Sequence, residues 1–184
     1  MRTFLSKRNV VILEQGIVVK TMNDPSLLEK EVWMYQQLEK YNVVPKLLKK
    51  ENNSIFLEYK DCLTYLDVLL EQEQTKFDKT PWEALVQYLK LSQQVTGFLP
   101  MDCNLRNFLW DGKQIFAIDF EEYGNVSLTT CLEKISAYIL LYDPIYSSVK
   151  QEIVNYYVHQ YGMDWKRIDL EQEKLQKRRA QKRR

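Results

Sequence analysis

Three oxygen-bearing side chains follow one another at a spacing that could do chemistry. Asp102 precedes a loop, Asn107 enters the next strand, and Asp119 ends the returning strand of a hairpin turned at Asp111-Gly112. An Asp and an Asn on either side of a turn can orient a hydroxyl group and bind a hard cation, and Asp119 supplies a further oxygen ligand. Together the three residues indicate a magnesium site beside a hydroxyl-orienting carboxylate.

Each of these three residues also has a purely structural interpretation. Asp102 and Asn107 can hydrogen-bond the backbone of their own loop, and Asp119 can cap a turn. Taken singly, each residue fits that interpretation; the chemical interpretation depends on the combination.

The histidine and cysteine content excludes several other chemistries. The only histidine is His159, so neither a histidine-based catalytic triad nor a polyhistidine metal site can be built. Cys62, Cys103 and Cys131 are odd in number and widely spaced, which argues against a disulfide framework and against a zinc site. Acid–base chemistry must therefore use carboxylates.

Length and composition favour one compact folded unit. The chain has 184 residues, of which 45% are hydrophobic and 28% charged, as expected for one domain or a small two-lobed protein. The longest stretch without charge, residues 91–101, is too short to cross a bilayer, and the N-terminal residues lack the apolar core of a signal peptide. We expect a cytoplasmic protein without membrane contact.

The first 60 residues predict a small sheet with one helix. Alternating β-branched residues around residues 15–16 predict a hairpin whose second strand contains Lys20. Asp24 and Pro25 start a helix that presents Glu31 on its apolar stripe. The segments VVPKLL and SIFLEY predict a further strand pair, which makes five strands and one helix.

Residues 61–173 predict a mainly helical second part. Amphipathic helices precede and follow the segment that contains Asp102, Asn107 and Asp119. The two parts together predict an α+β fold.

Residues 174–184 contain seven cations and no acid, whereas the preceding body has a net charge of −6. We expect them to form a helical or disordered tail outside the core, available to a polyanion or an acidic protein partner.

The sequence resembles the protein-kinase-like superfamily in the order and spacing of these residues. Asp102-x-x-x-x-Asn107 matches the catalytic-loop spacing, and Asp119-Phe120 after the hairpin matches the metal-binding Asp-Phe dipeptide. Lys20 resembles the lysine that binds the nucleotide phosphates, and Glu31 resembles its ion-pair partner. The resemblance spans residues 10–142.

Further resemblance concerns the adenine site and the branch of the superfamily. The segment SIFLEYKDC is similar to the strand and hinge beside adenine, with backbone groups of Glu58, Tyr59 and Lys60 as expected contacts. Asp119-Phe120-Glu121 looks like the aminoglycoside phosphotransferases and choline kinases. Compact RIO-type atypical kinases are the second choice, because only 65 residues follow Asp119.

The resemblance implies a fold and an activity. The fold is compact and bilobal, with a small antiparallel-sheet N-lobe (residues 1–60) and a mainly helical C-lobe (residues 61–173). The activity is transfer of the γ-phosphoryl group of ATP to a hydroxyl of a small molecule or protein. Asp102 would orient or deprotonate the hydroxyl, Asn107 and Asp119 would hold Mg²⁺, and Lys20 would position the phosphates.

Three departures from the family pattern keep alternatives open. No glycine-rich loop precedes Lys20; the first turn is residues 6–9, where Lys7 or Arg8 would have to bind phosphate. Pro100 replaces the histidine two residues before the catalytic Asp. Arg106 would neutralise transferred phosphate or brace the loop. A pseudokinase with a scaffolding role and a structural α+β domain without a nucleotide site are the alternatives.

Overall fold

The N-terminal part of the chain is a five-stranded antiparallel sheet, in a computed structural model that describes residues 2–4 and 9–182. Its spatial order is β1-β2-β3-β5-β4, with β1 (Arg2–Phe4), β2 (Val10–Glu14), β3 (Ile17–Thr21), β4 (Leu47–Glu51) and β5 (Ser54–Glu58). Gln15 and Gly16 join β2 to β3 with φ of 49° and 78°, the left-handed conformation that a tight hairpin turn requires. The predicted hairpin is present, and β3 contains Lys20. The predicted phosphate contacts Lys7 and Arg8 lie outside the described residues.

Helix α1 (Pro25–Leu38) packs against this sheet. Asp24 caps it by accepting a hydrogen bond of 2.9 Å from the N–H of Ser26, and Pro25 occupies the first turn, where its missing donor is not needed. The buried side of the helix includes Glu31 among apolar residues. The predicted helix start and the inward position of Glu31 are confirmed.

The remainder of the chain is mainly helical. Its helices are α2 (Tyr65–Gln74), α3 (Thr80–Thr96), α4 (Leu128–Leu141), α5 (Ser148–Tyr161) and α6 (Trp165–Lys182). Two small antiparallel sheets lie among them, β6-β8-β9 and β7-β10, formed by β6 (Leu63–Thr64), β7 (Leu99–Pro100), β8 (Phe108–Trp110), β9 (Ile115–Ala117) and β10 (Tyr123–Gly124). The expected α+β composition is confirmed, and the predicted division at residues 60/61 falls between β5 and β6.

Helix α6 differs from the expected tail. It continues without a break through residue 174 and packs against α4. Leu175 is buried, and Nη1 of Arg179 donates a hydrogen bond of 3.2 Å to the carbonyl oxygen of Leu141. These contacts correct the expectation that residues 174–184 lie outside the core at Leu175 and Arg179, whereas residues 176–178 and 180–181 are exposed. The charge density misled the prediction because one side of the helix packs although most of its cations face solvent.

The described helices also bear on membrane contact. None of them combines the length and the apolar composition that crossing a bilayer needs.

Candidate active site

A buried ion pair joins the sheet to helix α1. Nζ of Lys20 lies 2.8 Å and 3.0 Å from the two carboxylate oxygens of Glu31, and the side chains are 9% and 0% exposed. Lys20 reaches this position because alternate residues of β3 point to the side of the sheet that α1 covers. The structure therefore brings together two residues whose pairing the sequence predicted.

Two further carboxylates reach the same lysine from the C-terminal part. Nζ of Lys20 lies 2.8 Å from Oδ1 of Asp119 and 2.7 Å from Oε1 of Glu121. Asp119 has a φ of 66°, unusual for a residue with a side chain. Residues in this conformation are enriched at functional sites, where the surrounding contacts compensate for the strain. One ammonium group thus connects three carboxylates from α1 and from the loop after β9.

This cluster holds three carboxylates and one ammonium group, so negative charge exceeds positive charge. Although burial alone lowers the pKa of Lys20, the carboxylates of Glu31 and Asp119 raise it above its ordinary value, so the amine stays protonated. Burial also raises the pKa of Glu31 to about 7, and the attraction of Lys20 opposes that rise. Oxygen atoms of Glu31, Asp119 and Glu121 lie within 4.8 Å of one another. Such a group of oxygen ligands suits a hard divalent cation.

Contacts from the N-terminal part hold the loop after Asp119. The side-chain amide of Asn9 donates a short hydrogen bond to the carboxylate of Glu121. Lys30 of α1 donates hydrogen bonds of 3.0 Å and 2.5 Å to the backbone oxygens of Glu121 and Tyr123. The loop that contains two of the carboxylates is therefore positioned by the sheet and α1 as well as by its own strands.

Asn107 lies beside the strand that leads to Asp119. It ends a single turn of 3₁₀ helix, Leu105–Asn107, and its carbonyl oxygen accepts a hydrogen bond of 2.9 Å from the N–H of Ile118. The antiparallel pairing of β8 with β9 enforces this adjacency. The two residues predicted to bind a metal are thus brought to neighbouring positions of the backbone.

Asp102 lies in the loop after β7 and is held from helix α4. The hydroxyl of Tyr138 donates a hydrogen bond of 2.9 Å to its Oδ1. Because this contact comes from another element, the interpretation that Asp102 only bonds its own loop does not describe it.

Arg106 lies between Asp102 and Asn107, and its side chain is exposed. Its backbone N–H donates a hydrogen bond of 3.1 Å to Oδ1 of Asn104, which stabilises this loop.

The hinge segment is more constrained than the sequence suggested. The N–H of Glu58 bonds to the carbonyl of Lys46 at 2.9 Å, and the N–H of Tyr59 bonds to that of Gly16 at 3.0 Å. These two donors are therefore engaged within the protein. Nζ of Lys60 forms an ion pair of 2.9 Å with Glu58 and lies 4.7 Å from the ring centre of Phe116.

Sequence reasoning missed three residues of the site, namely Asn9, Glu121 and Tyr138. Glu121 had a local signal, because it is a second carboxylate only two residues after Asp119 in the same loop. Asn9 and Tyr138 had none, since their partners lie 112 and 36 residues away in the chain.

The chain is similar to known proteins in its structure and not in its sequence. No protein-family model matches the chain, and no curated protein matches its sequence. Solved structures do match. A choline/ethanolamine kinase family protein from Mesorhizobium loti has a TM-score of 0.54 at 12% identity, over 89% of this chain and 69% of that chain.

Two other kinase structures are similar. The Rio2 kinase–ADP/Mg²⁺–phosphoaspartate complex from Chaetomium thermophilum gives a TM-score of 0.58 at 12% identity, over 98% of this chain and 70% of that one. WbdD with the kinase inhibitor LY294002 gives 0.57 at 15% identity, over 92% of this chain and 49% of the other. At such low identity the matches establish the fold. The chain has a protein-kinase-like fold, as its resemblance to that superfamily implied.

Proposed function

We propose that this chain is an ATP- and Mg²⁺-dependent phosphotransferase that acts on a hydroxyl group. The observation that supports this most strongly is the contact of Lys20 with both Glu31 and Asp119, at 2.8 Å each. In a protein-kinase-like fold, this lysine binds nucleotide phosphates and this aspartate binds the metal. Residues 1–60 and 61–173 would be the two lobes on either side of the nucleotide.

The residues present fit a magnesium–nucleotide complex. Asp119 and Asn107 offer oxygen ligands, and Asp119 has a side chain that is 45% exposed and therefore accessible. Bound Mg²⁺ would neutralise charge on the phosphates and on the carboxylates that outnumber Lys20. The Rio2 match is a complex with ADP and Mg²⁺, which is consistent with this use of the fold.

Asp102 would act on the acceptor. Its Oδ1 accepts the hydrogen bond from Tyr138, which leaves Oδ2 to accept the proton of an acceptor hydroxyl. The hydroxyl oxygen bonds to the γ-phosphorus, the bond from that phosphorus to the β–γ bridging oxygen breaks, and ADP leaves. The hydroxyl proton passes to Asp102. At the hinge, the backbone N–H groups of Glu58 and Tyr59 are already bonded within the protein. The backbone N–H of Lys60 would therefore be the donor to adenine.

A second candidate function is a pseudokinase that serves as a scaffold. It is favoured by the contact of Glu121 with Lys20 at 2.7 Å, because this carboxylate occupies a donor that nucleotide phosphate would otherwise use. The basic residues of α6 would then bind an acidic partner. A structural domain without any nucleotide site is the third alternative.

Measuring ATP binding by calorimetry, with Mg²⁺ and with EDTA, separates the three functions. The enzyme is expected to bind ATP more tightly with Mg²⁺ and to release ADP slowly by transfer to water. A scaffold would bind ATP equally with and without Mg²⁺ and release no ADP. Absence of any ATP binding would contradict both and leave the structural domain.

A further inference from the structure

Two arginines at the C-terminal end of α4 have no acidic partner among residues 9–182. They are Arg106, in the loop between Asp102 and Asn107, and Arg179, in the C-terminal half of α6. Both are exposed, and neither lies within 4.0 Å of a carboxylate oxygen in that described part of the chain. Their charges are therefore available to a ligand.

The two arginines approach the same place from different elements. The backbone N–H of Arg106 donates a hydrogen bond to Oδ1 of Asn104. The same oxygen accepts a hydrogen bond of 2.9 Å from the hydroxyl of Tyr142. Arg179 bonds to the carbonyl of Leu141, the residue before Tyr142. Both arginines thus border Tyr142, at the C-terminal end of α4.

The electrostatics at Tyr142 agree with this placement. Burial raises the pKa of the Tyr142 hydroxyl, and the positive charges of Arg106 and Arg179 oppose that rise. Asp102 acts on the same hydroxyl in the opposite direction, and Asp143 is the exposed acidic neighbour in the chain. The ammonium group of Lys150 donates hydrogen bonds to the carbonyl oxygens of Tyr142, at 3.0 Å, and Pro144.

This position adjoins the proposed base. The rings of Tyr142 and Tyr138 are 6.5 Å apart between their centres, and Tyr138 bonds to Asp102. A molecule that presents a hydroxyl to Asp102 and extends along these tyrosines would meet the charges of Arg106 and Arg179. Guanidinium groups bind phosphate and carboxylate with paired, charge-assisted hydrogen bonds.

We infer that the hydroxyl acceptor also contains an anionic group, a phosphate or a carboxylate, which Arg106 and Arg179 bind. The inference rests on the proposed function and names its substrate class. It separates this chain from an enzyme for cationic acceptors, because two arginines beside Tyr142, without a carboxylate partner among residues 9–182, would repel an ammonium group.

Sulfate binding to the full chain saturated with Mg²⁺ and a non-hydrolysable ATP analogue tests the inference. Saturation excludes sulfate from the nucleotide site. Arg106→Gln and Arg179→Gln are each expected to weaken sulfate binding about tenfold, since a hydrogen bond to a charged group is lost. Arg178→Gln is the matched control, because Arg178 is an exposed neighbour on the same helix, and it should change the affinity less than twofold.

The conservative variants Arg106→Lys and Arg179→Lys should retain most of the affinity because they keep the charge. They also serve if a glutamine variant does not fold. Failure of the nucleotide analogue to bind would overturn the proposed function and the inference with it. Nucleotide binding without sulfate binding, or sulfate binding that the Arg106→Gln/Arg179→Gln double variant leaves unchanged, would overturn the inference alone.

Discussion

The hydroxyl of Tyr138 lies 2.9 Å from Oδ1 of Asp102, so helix α4 holds the proposed catalytic carboxylate. Burial and the charge of Asp102 raise the pKa of Tyr138 far above its ordinary value. The hydroxyl therefore stays protonated and donates at any physiological pH. Pro100 stands where the kinase pattern that the sequence resembles has a histidine, and this hydrogen bond supports the loop from helix α4.

Tyr138→Phe is expected to lower kcat about fivefold, the loss of one hydrogen bond of about 1 kcal/mol, while KM for ATP stays unchanged. In an Asp102→Asn background the same change should have no further effect, because Tyr138 acts through Asp102. Tyr156→Phe, which removes a similar hydrogen bond of 2.9 Å to Glu83, is the control. Equal losses in both backgrounds would contradict the positioning role.

Asp119 and Asp102 are expected to differ when each is changed to asparagine. Asp119→Asn removes a charge that balances Mg²⁺, so Mg²⁺-dependent ATP binding should weaken about tenfold or more along with turnover. Asp102→Asn should spare ATP binding and lower turnover, because an amide accepts no proton. Calorimetry and ADP release measure the two effects.

Asp169→Asn, on the exposed side of α6, is the control for these two variants and should alter neither quantity. If Asp102→Asn abolished ATP binding, or if Asp119→Asn left the effect of Mg²⁺ intact, the two roles would be wrongly assigned.

Glu121→Gln is expected to strengthen binding of ATP in EDTA several-fold. Its carboxylate competes with phosphate for Lys20, from which it lies 2.7 Å away, and an uncharged amide competes less. Calorimetric titration of both proteins with ATP checks this. Weaker binding of ATP by the variant in EDTA would mean that Glu121 assists the nucleotide.

The stability of the metal-free protein should depend on Glu31 and on pH. The pKa of this buried carboxyl is raised from 4.5 to about 7, so the folded state binds its proton more tightly than the unfolded state does. The resulting stabilisation is complete below pH 4.5 and disappears as the pH rises through 7, by about 1.4 kcal/mol per unit of pKa difference.

Urea unfolding in EDTA at several pH values, compared with Glu31→Gln, isolates this contribution. The free energy of unfolding of the unmodified protein, relative to that of the variant, should fall between pH 4.5 and 7. A difference that rises with pH over that range would mean that Lys20 lowers the pKa of Glu31 more than burial raises it.

Two changes in α6 should differ in their effect on stability. Leu175→Ala is expected to lower the free energy of unfolding by about 2 kcal/mol, because a buried side chain is lost. Deletion of residues 177–184 should cost about 1 kcal/mol, because it removes the hydrogen bond from Arg179 to Leu141 and an exposed ion pair of Lys177 with Glu173, which contributes little. Chemical denaturation measures both; a larger loss on deletion than in Leu175→Ala would contradict this division.

Local sequence patterns determined the elements on which the main site residues lie. Strand alternation and a hairpin turn oriented Lys20, helical spacing turned Glu31 inward, and the hairpin at residues 111–112 brought Asp119 back beside Asn107. These features depend on residues a few positions apart, so they could be predicted without knowledge of the tertiary structure.

Only the tertiary structure decided which side chains complete the site. Tyr138 meets Asp102, and Asn9 meets Glu121, because packing brings distant elements together. The same holds for α6, whose composition predicted a solvated tail. Packing along one side of the helix buries Leu175 and brings Arg179 to the carbonyl oxygen of Leu141, and net charge does not specify which side packs.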